Sequence, residues 1–157
     1  MHEIRTALIG VGAVNRSFLE ILTRKADRLQ RDYGLAFQVV LAADSSGVVR
    51  SDAGFDPQQL LLFKRNGGRL QEHPAYVNGA LTQLLPETAC DLVLEASPVN
   101  LKDGEPGLSV TRTALACGMH VVLANKGPLV LAFRELHDLA AQKKVGLAYS
   151  ATVCGAL

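Results

Sequence analysis

Neither sign of charge is in excess in this chain: sixteen lysines and arginines stand against fifteen aspartates and glutamates, a net charge of +1. A nucleic-acid footprint or an acidic tail is therefore not expected, whereas a small anionic ligand, which needs only local charge, stays open. Cysteine is scarce. Cys90, Cys117 and Cys154 are odd in number, far apart and without Cys-x-x-Cys spacing, which argues against a disulfide framework and a zinc site and predicts a reduced, cytoplasmic setting. No apolar stretch is long enough to cross a bilayer, and Met1-His2-Glu3-Ile4-Arg5 passes into a strand without a charged-then-apolar leader, so no membrane partner is expected. His2, His73, His120 and His137 share no ligand spacing, and no metal site is predicted. Repeats and low-complexity segments are absent too. What is present, at 157 residues, is enough for about one domain with a real core.

Thr6-Ala7-Leu8-Ile9-Gly10 predicts a short buried strand ending at glycine, and Leu19, Leu22, Ala26 and Leu29 then recur at helical spacing. Phe37 to Ala43 predicts a second strand, far enough along for a crossover helix between parallel strands. Asp44 to Pro74, rich in glycine and charge, reads as a variable excursion holding one helix, Pro57 to Lys64. A helix near Val77 to Leu85 leads to a third strand, Asp91 to Ala96. Then follow a helix over Leu108 to Cys117, a strand over Val121 to Leu123, a helix over Leu131 to Lys143 and a strand over Val145 to Tyr149. This alternation predicts an α/β domain. In open sheets of that kind ligands sit outside the carboxyl ends of the strands.

Those ends carry the candidate residues. Gly10-Val11-Gly12-Ala13-Val14-Asn15 matches a dinucleotide loop at its first two glycines, with Asn15 where a third glycine or alanine is usual. Gly10 permits the tight turn, Gly12 lets backbone approach a pyrophosphate, and the next helix presents unpaired N–H groups. Asn15 is expected to hold helix and strand further apart. The plain alternative is an ordinary glycine turn. Asp44 follows the second strand, where a carboxylate accepts hydrogen bonds from adenosine ribose hydroxyls, although a turn-forming role before Ser45-Ser46-Gly47 explains it equally. Arg50, Lys64 and Arg65 stand within reach of a 2′-phosphate, so NAD and NADP both stay open. Ser97-Pro98 either lines the nicotinamide side of a pocket or is a plain turn. Gly104-Glu105-Pro106-Gly107 reads as a helix entry with Pro106 near its first position. Lys126, in Ala124-Asn125-Lys126-Gly127-Pro128, is a compact cation at a strand end, suited to hold an anion or polarise a carbonyl oxygen. A solvated loop lysine is the bland reading. Cys154 has no histidine close in sequence and reads as a small packed residue.

In combination, Glu95-Ala96-Ser97-Pro98, Gly104-Glu105-Pro106-Gly107, Ala124-Asn125-Lys126-Gly127-Pro128 and Ala151-Thr152-Val153-x-Gly155 make the chain resemble the N-terminal nucleotide-binding domain of homoserine dehydrogenase, from Gly10 to Leu157. The resemblance implies a Rossmann-type, doubly wound fold, with a mostly parallel sheet and helices on both faces. It implies NAD or NADP as cofactor and interconversion of L-aspartate 4-semialdehyde and L-homoserine by a homo-oligomeric parent enzyme. It also implies that the loop Val11, Gly12, Ala13, Val14 and Asn15 cradles the pyrophosphate, that Ser97 lies by the cofactor, and that Lys126 contacts cofactor or substrate as a proposed participant in proton transfer; Gly10 and Asp44 join these as cofactor candidates from their own chemistry. Many members carry glutamate where this chain has Ser150, and that glutamate helps hold a monovalent cation with carbonyls matching Val153 and Gly155. The departure argues against a bound sodium ion. The family's substrate domain would begin beyond Leu157, and the apolar end of the chain reads as a cut, so this piece by itself is expected to bind cofactor without turnover. Two rivals remain at this point: a stand-alone redox-sensing module, and another two-domain dehydrogenase of small aldehydes or sugars.

Overall fold

Alternation along the first strand decides the layering. Ala7 and Ile9 enter one apolar cluster and Leu8 enters another, as expected when successive side chains point to opposite faces. A computed structural model describes residues 2–153. In chain order these form β1 (His2–Ile9), α1 (Ala13–Tyr33), β2 (Leu35–Asp44), β3 (Gly47–Phe55), α2 (Pro57–Arg65), β4 (Tyr76–Val77), α3 (Leu81–Leu84), β5 (Leu92–Glu95), α4 (Gly107–Ala116), β6 (His120–Leu123), α5 (Gly127–Lys143) and β7 (Leu147–Ala148).

The sheet has seven strands in the order β4-β3-β2-β1-β5-β6-β7. β2, β1, β5, β6 and β7 run parallel, while β3 and β4 add an antiparallel flank. α1 and α2 cover one face through Leu19, Leu22, Leu60 and Leu61. α4 and α5 cover the other through Leu108, Val110, Leu115, Leu136 and Ala140. The chain leaves β1 toward β2 on one side and returns to β5 on the other, so the ends of β1 and β5 form the switch point where such sheets bind ligands. This is the doubly wound architecture the sequence predicts. No helix among the described residues is long and apolar enough to cross a membrane.

Local chemistry explains the helix ends. Gly34 closes α1 in a left-handed conformation (φ 66°) and its N–H reaches Gln30 O. Asp56 caps α2 by accepting from Gln59 N at 2.9 Å, with Pro57 next. α5 kinks at Ala132 (φ −141°, ψ 31°).

Two expectations need correction. The stretch after Asp44, expected to hold only a helix, opens with a strand: Val48 and Val49 are buried in β3, paired antiparallel with Ala43 and Ala42. The helix expected over 77–85 shrinks to α3, because Tyr76 and Val77 pair with β3 instead. Pro106, as expected, stands at the helix entry, just before Gly107, the first residue of α4.

Candidate functional site

The glycine loop joins β1 to α1. Gly10 has φ 78°, and a Cβ there would sit 2.4 Å from Ala96 O, so both conformation and space demand glycine. Gly12 differs: a Cβ on it would meet nothing within 4 Å. It precedes α1 without any side-chain cap, and the first turn carries no acidic residue. The N-terminal amides of a long helix therefore face open space beside Gly12, a site suited to a phosphate.

Asn15 behaves otherwise than expected. It is 1% exposed, and its Nδ2 donates to Ile9 O at 3.0 Å, Gly10 O at 3.1 Å and Leu94 O at 3.3 Å. Its amide braces the loop against β1 and β5, and the side chain is turned inward.

At the ends of β5 and β6 lies a buried polar cluster. Ser97 donates its N–H to Glu95 Oε1 at 2.9 Å, and its hydroxyl also hydrogen-bonds to that oxygen. Asn125 Nδ2 donates to Ser97 Oγ at 3.2 Å, while Asn125 Oδ1 accepts from Gly127 N at 2.9 Å. Burial pushes the Glu95 carboxyl up from its ordinary range, with the Ser97 hydrogen bonds and the Asn125 amide opposing. Lys126 follows, half-buried, at the start of α5. It joins no ion pair among the described residues.

Asp44 ends β2. Its Oδ1 accepts from Ser46 N at 2.7 Å and Ser46 Oγ at 2.5 Å, and its Oδ2 meets Lys64 Nζ at 2.7 Å. Burial works against the charged form, but the hydrogen bonds from Lys64 and Ser46 outweigh it and hold the carboxyl below its ordinary range. The other two cations suggested for a 2′-phosphate are also engaged, Arg65 with Glu20 at 2.8 Å and Arg50 with Glu87 at 3.7 Å.

A groove of about 870 Å³ runs along this edge, and Gly10, Val11, Gly12, Asp44 and Ser97 all line it. The volume lies in the range of roughly 300–1,000 Å³ typical of cofactor sites. Ala13, Val14, Asn15 and Lys126 stand outside its lining. Ala13 and Val14 are exposed in the first turn of α1. Lys126 lies one strand beyond Ser97, tied to it through Asn125.

Residues 10–150 match the family model described as homoserine dehydrogenase, NAD binding domain. The chain belongs to the homoserine dehydrogenase family. It is 32% identical over 155 residues to the NAD(+)-dependent homoserine dehydrogenase of Pseudomonas canavaninivorans, covering 98% of this chain and 44% of that one. It is 31% identical over 151 residues to the homoserine dehydrogenase of Methanocaldococcus jannaschii, covering 96% and 45%. The crystal structure of homoserine dehydrogenase from Thermoplasma acidophilum superposes with a TM-score of 0.79 at 30% identity, over 98% of this chain and 45% of that one. The chain thus spans less than half the length of these homoserine dehydrogenases, and it is their NAD-binding part, which accounts for the glycine loop and the groove. NAD and NADP are both consistent with membership.

Within this homoserine dehydrogenase domain, Ser150 sits exposed in a single turn. Among the described residues no three His, Cys, Asp or Glu side chains cluster for a metal. Cys154 and Gly155 lie outside the described residues. Two residues that composition and motif reading passed over, Asn15 as a brace and Glu95 as a buried acid, organise the site. The signal for Glu95 is its position, a carboxyl closing the apolar run Leu92-Val93-Leu94, since unpaired glutamates are almost never fully buried.

Proposed function

We propose that the groove holds NAD or NADP and that this chain is the cofactor-binding part of a cytoplasmic, homo-oligomeric enzyme interconverting L-aspartate 4-semialdehyde and L-homoserine, with a substrate domain supplying the rest of the site. The observation that carries this reading is the meeting of the uncapped start of α1, Asp44 and Ser97 in one groove at the switch point of the sheet. Gly12 and the first amides of α1 take the pyrophosphate. Asp44 keeps acceptor capacity for ribose hydroxyls, since a carboxylate offers about four lone-pair sites and three are used here. When bound, the nicotinamide supplies or accepts the hydride.

Lys126 is the catalytic residue of this domain. Held at the start of α5 by its neighbours Asn125 and Gly127, its ammonium is free of carboxylate partners among the described residues and stabilises the oxygen of the reacting carbonyl as charge develops there. Because it stands outside the groove lining, its loss leaves cofactor binding in place. Two measurements test this. The chain titrated with NADH and with NADPH shows saturable binding of at least one, and binding of neither overturns the reading. In an enzyme completed by its substrate domain, Lys126→Ala lowers kcat by more than about tenfold; near-normal kcat removes Lys126 from the mechanism.

A further inference from the structure

Glu95, Ser97 and Asn125 are wired asymmetrically, and the wiring fixes which way each hydrogen points. Asn125 accepts the Gly127 N–H, so that atom is its oxygen, and the atom facing Ser97 Oγ is the amide nitrogen, which donates. A serine hydroxyl has one hydrogen and two lone pairs, so one lone pair of Ser97 is taken. Glu95 makes both its hydrogen bonds through Oε1, to the N–H and the hydroxyl of Ser97. Its Oε2 is buried without a hydrogen-bond partner, and the residue is 0% exposed.

Among the described residues no cation compensates that carboxyl. Ile9 of β1 and Leu123 of β6 flank it in register. At the start of α4, Gly107 packs so close that a Cβ would lie 3.1 Å from Glu95 Oε2. Glu105, just before α4, spends its carboxylate on Ser109 N and Oγ. Lys126, just before α5, forms no ion pair with Glu95. The Asn125 amide lies beside the carboxyl and favours its ionised form without hydrogen-bonding Oε2, but an ionised carboxylate would still spread its charge over both oxygens and bury one of them with no hydrogen bond, a costly arrangement. A neutral acid carrying its hydrogen on Oε1 leaves only a carbonyl oxygen without a partner.

We propose that Glu95 is a positioning residue whose carboxylic hydrogen goes to Ser97 Oγ, leaving the Ser97 hydroxyl hydrogen to donate into the groove, to the amide carbonyl oxygen of a nicotinamide. Ser97 follows β5, the strand beside β6 and Lys126, and lies two strands from Asp44, which assigns it to the nicotinamide end. The proposal rests on the dinucleotide reading of the groove. Were Glu95 ionised, the Ser97 hydrogen would point back at Oε1 and the groove would meet a lone pair instead.

Glu95→Gln separates these states. To accept the Ser97 N–H, the substituted amide places its oxygen at the Oε1 position, and that oxygen draws the Ser97 hydrogen away from the groove. With the chain at pH 7, NADH affinity falls about tenfold in Glu95→Gln and in Ser97→Ala, and no further in the double variant. ADP-ribose, which lacks the nicotinamide, binds all of them equally. Unchanged NADH affinity in Glu95→Gln, or equal losses for NADH and ADP-ribose, overturns the proposal. Failure of the unaltered chain to bind ADP-ribose overturns the groove reading itself. Independently of any ligand, the infrared spectrum of the unaltered chain at pH 7 shows a protonated carboxyl band that Glu95→Gln removes, and a spectrum without that band overturns the role of Glu95.

Discussion

The two ends of the groove are built from different chemistry. At the β1, β5 and β6 end the polar groups that meet are amides, a hydroxyl and an acid with no cation beside it, all buried: Asn15, Ser97, Asn125 and Glu95. At the β2 end a carboxylate meets an ammonium directly, Asp44 with Lys64, and the two side chains are 16% and 12% exposed. The first end discriminates by where hydrogens point, and changes little with salt. The second discriminates by charge, and answers to pH. A ligand with a carboxamide at one end and a phosphorylated or unphosphorylated ribose at the other asks for that division.

Three substitutions probe the division, in falling order of effect. Gly10→Ala attacks the uncharged end at its narrowest point, where the new Cβ meets Ala96 O at φ 78°. Left-handed strain and overpacking together cost about 3 kcal/mol or more, so thermal or urea unfolding shows a large loss and dinucleotide binding goes with it. An unaltered midpoint would show that the two loops can part freely. Asp44→Asn attacks the charged end, leaving Lys64 without its carboxylate; about 2 kcal/mol of stability is lost at pH 7. Because the folded state holds Asp44 below its ordinary range, this contribution is present above the unfolded carboxyl's pKa. It fades as pH falls below about 4, so the unfolding curves of variant and unaltered chain converge in acid. Affinity for NADP rises relative to NAD by about tenfold once Lys64 is released, read from parallel titrations. Arg112→Ala removes a charge pair away from the groove, where Arg112 holds Glu135 at 2.6 and 2.8 Å between α4 and α5. Both partners are about half exposed, so the expected loss is only about 0.5 kcal/mol, with affinity for both dinucleotides unchanged. A loss as large as that of Asp44→Asn would mean burial is not what gives the groove pair its weight.

Much of this frame is legible in the residues. Apolar runs ending at Gly10, Asp44, Ser97 and Lys126 mark parallel strands and place the groove on one edge. What escapes such reading is pairing at a distance. β3 hides because Arg50, Ser51, Asp52 and Gly54 interrupt it, and only the turn at Ser45-Ser46, held by Asp44 and followed by Val48-Val49, signals a hairpin. Asn15 looks like a defect in a glycine motif until its three carbonyl partners are seen. Val145 to Tyr149 keeps only Leu147 and Ala148 as strand, since an edge position demands few ladder bonds. The register break of β1 against β2 at Thr6/Ala7 has no motif at all, yet beyond it Leu41 and Ala43 enter the α4 and α5 cluster while Val39 belongs to the other.

The two glycines of the loop would follow separate fates over generations. Gly10 serves the chain's own backbone, pressed against Ala96, whereas Gly12 keeps empty a space that only a visitor uses. Selection sees the first through folding and the second only through what binds. A descendant lineage that abandoned the cofactor would be free to drift at Gly12 while Gly10 stayed fixed, so the order in which these two positions change dates the loss of the ligand against the persistence of the fold.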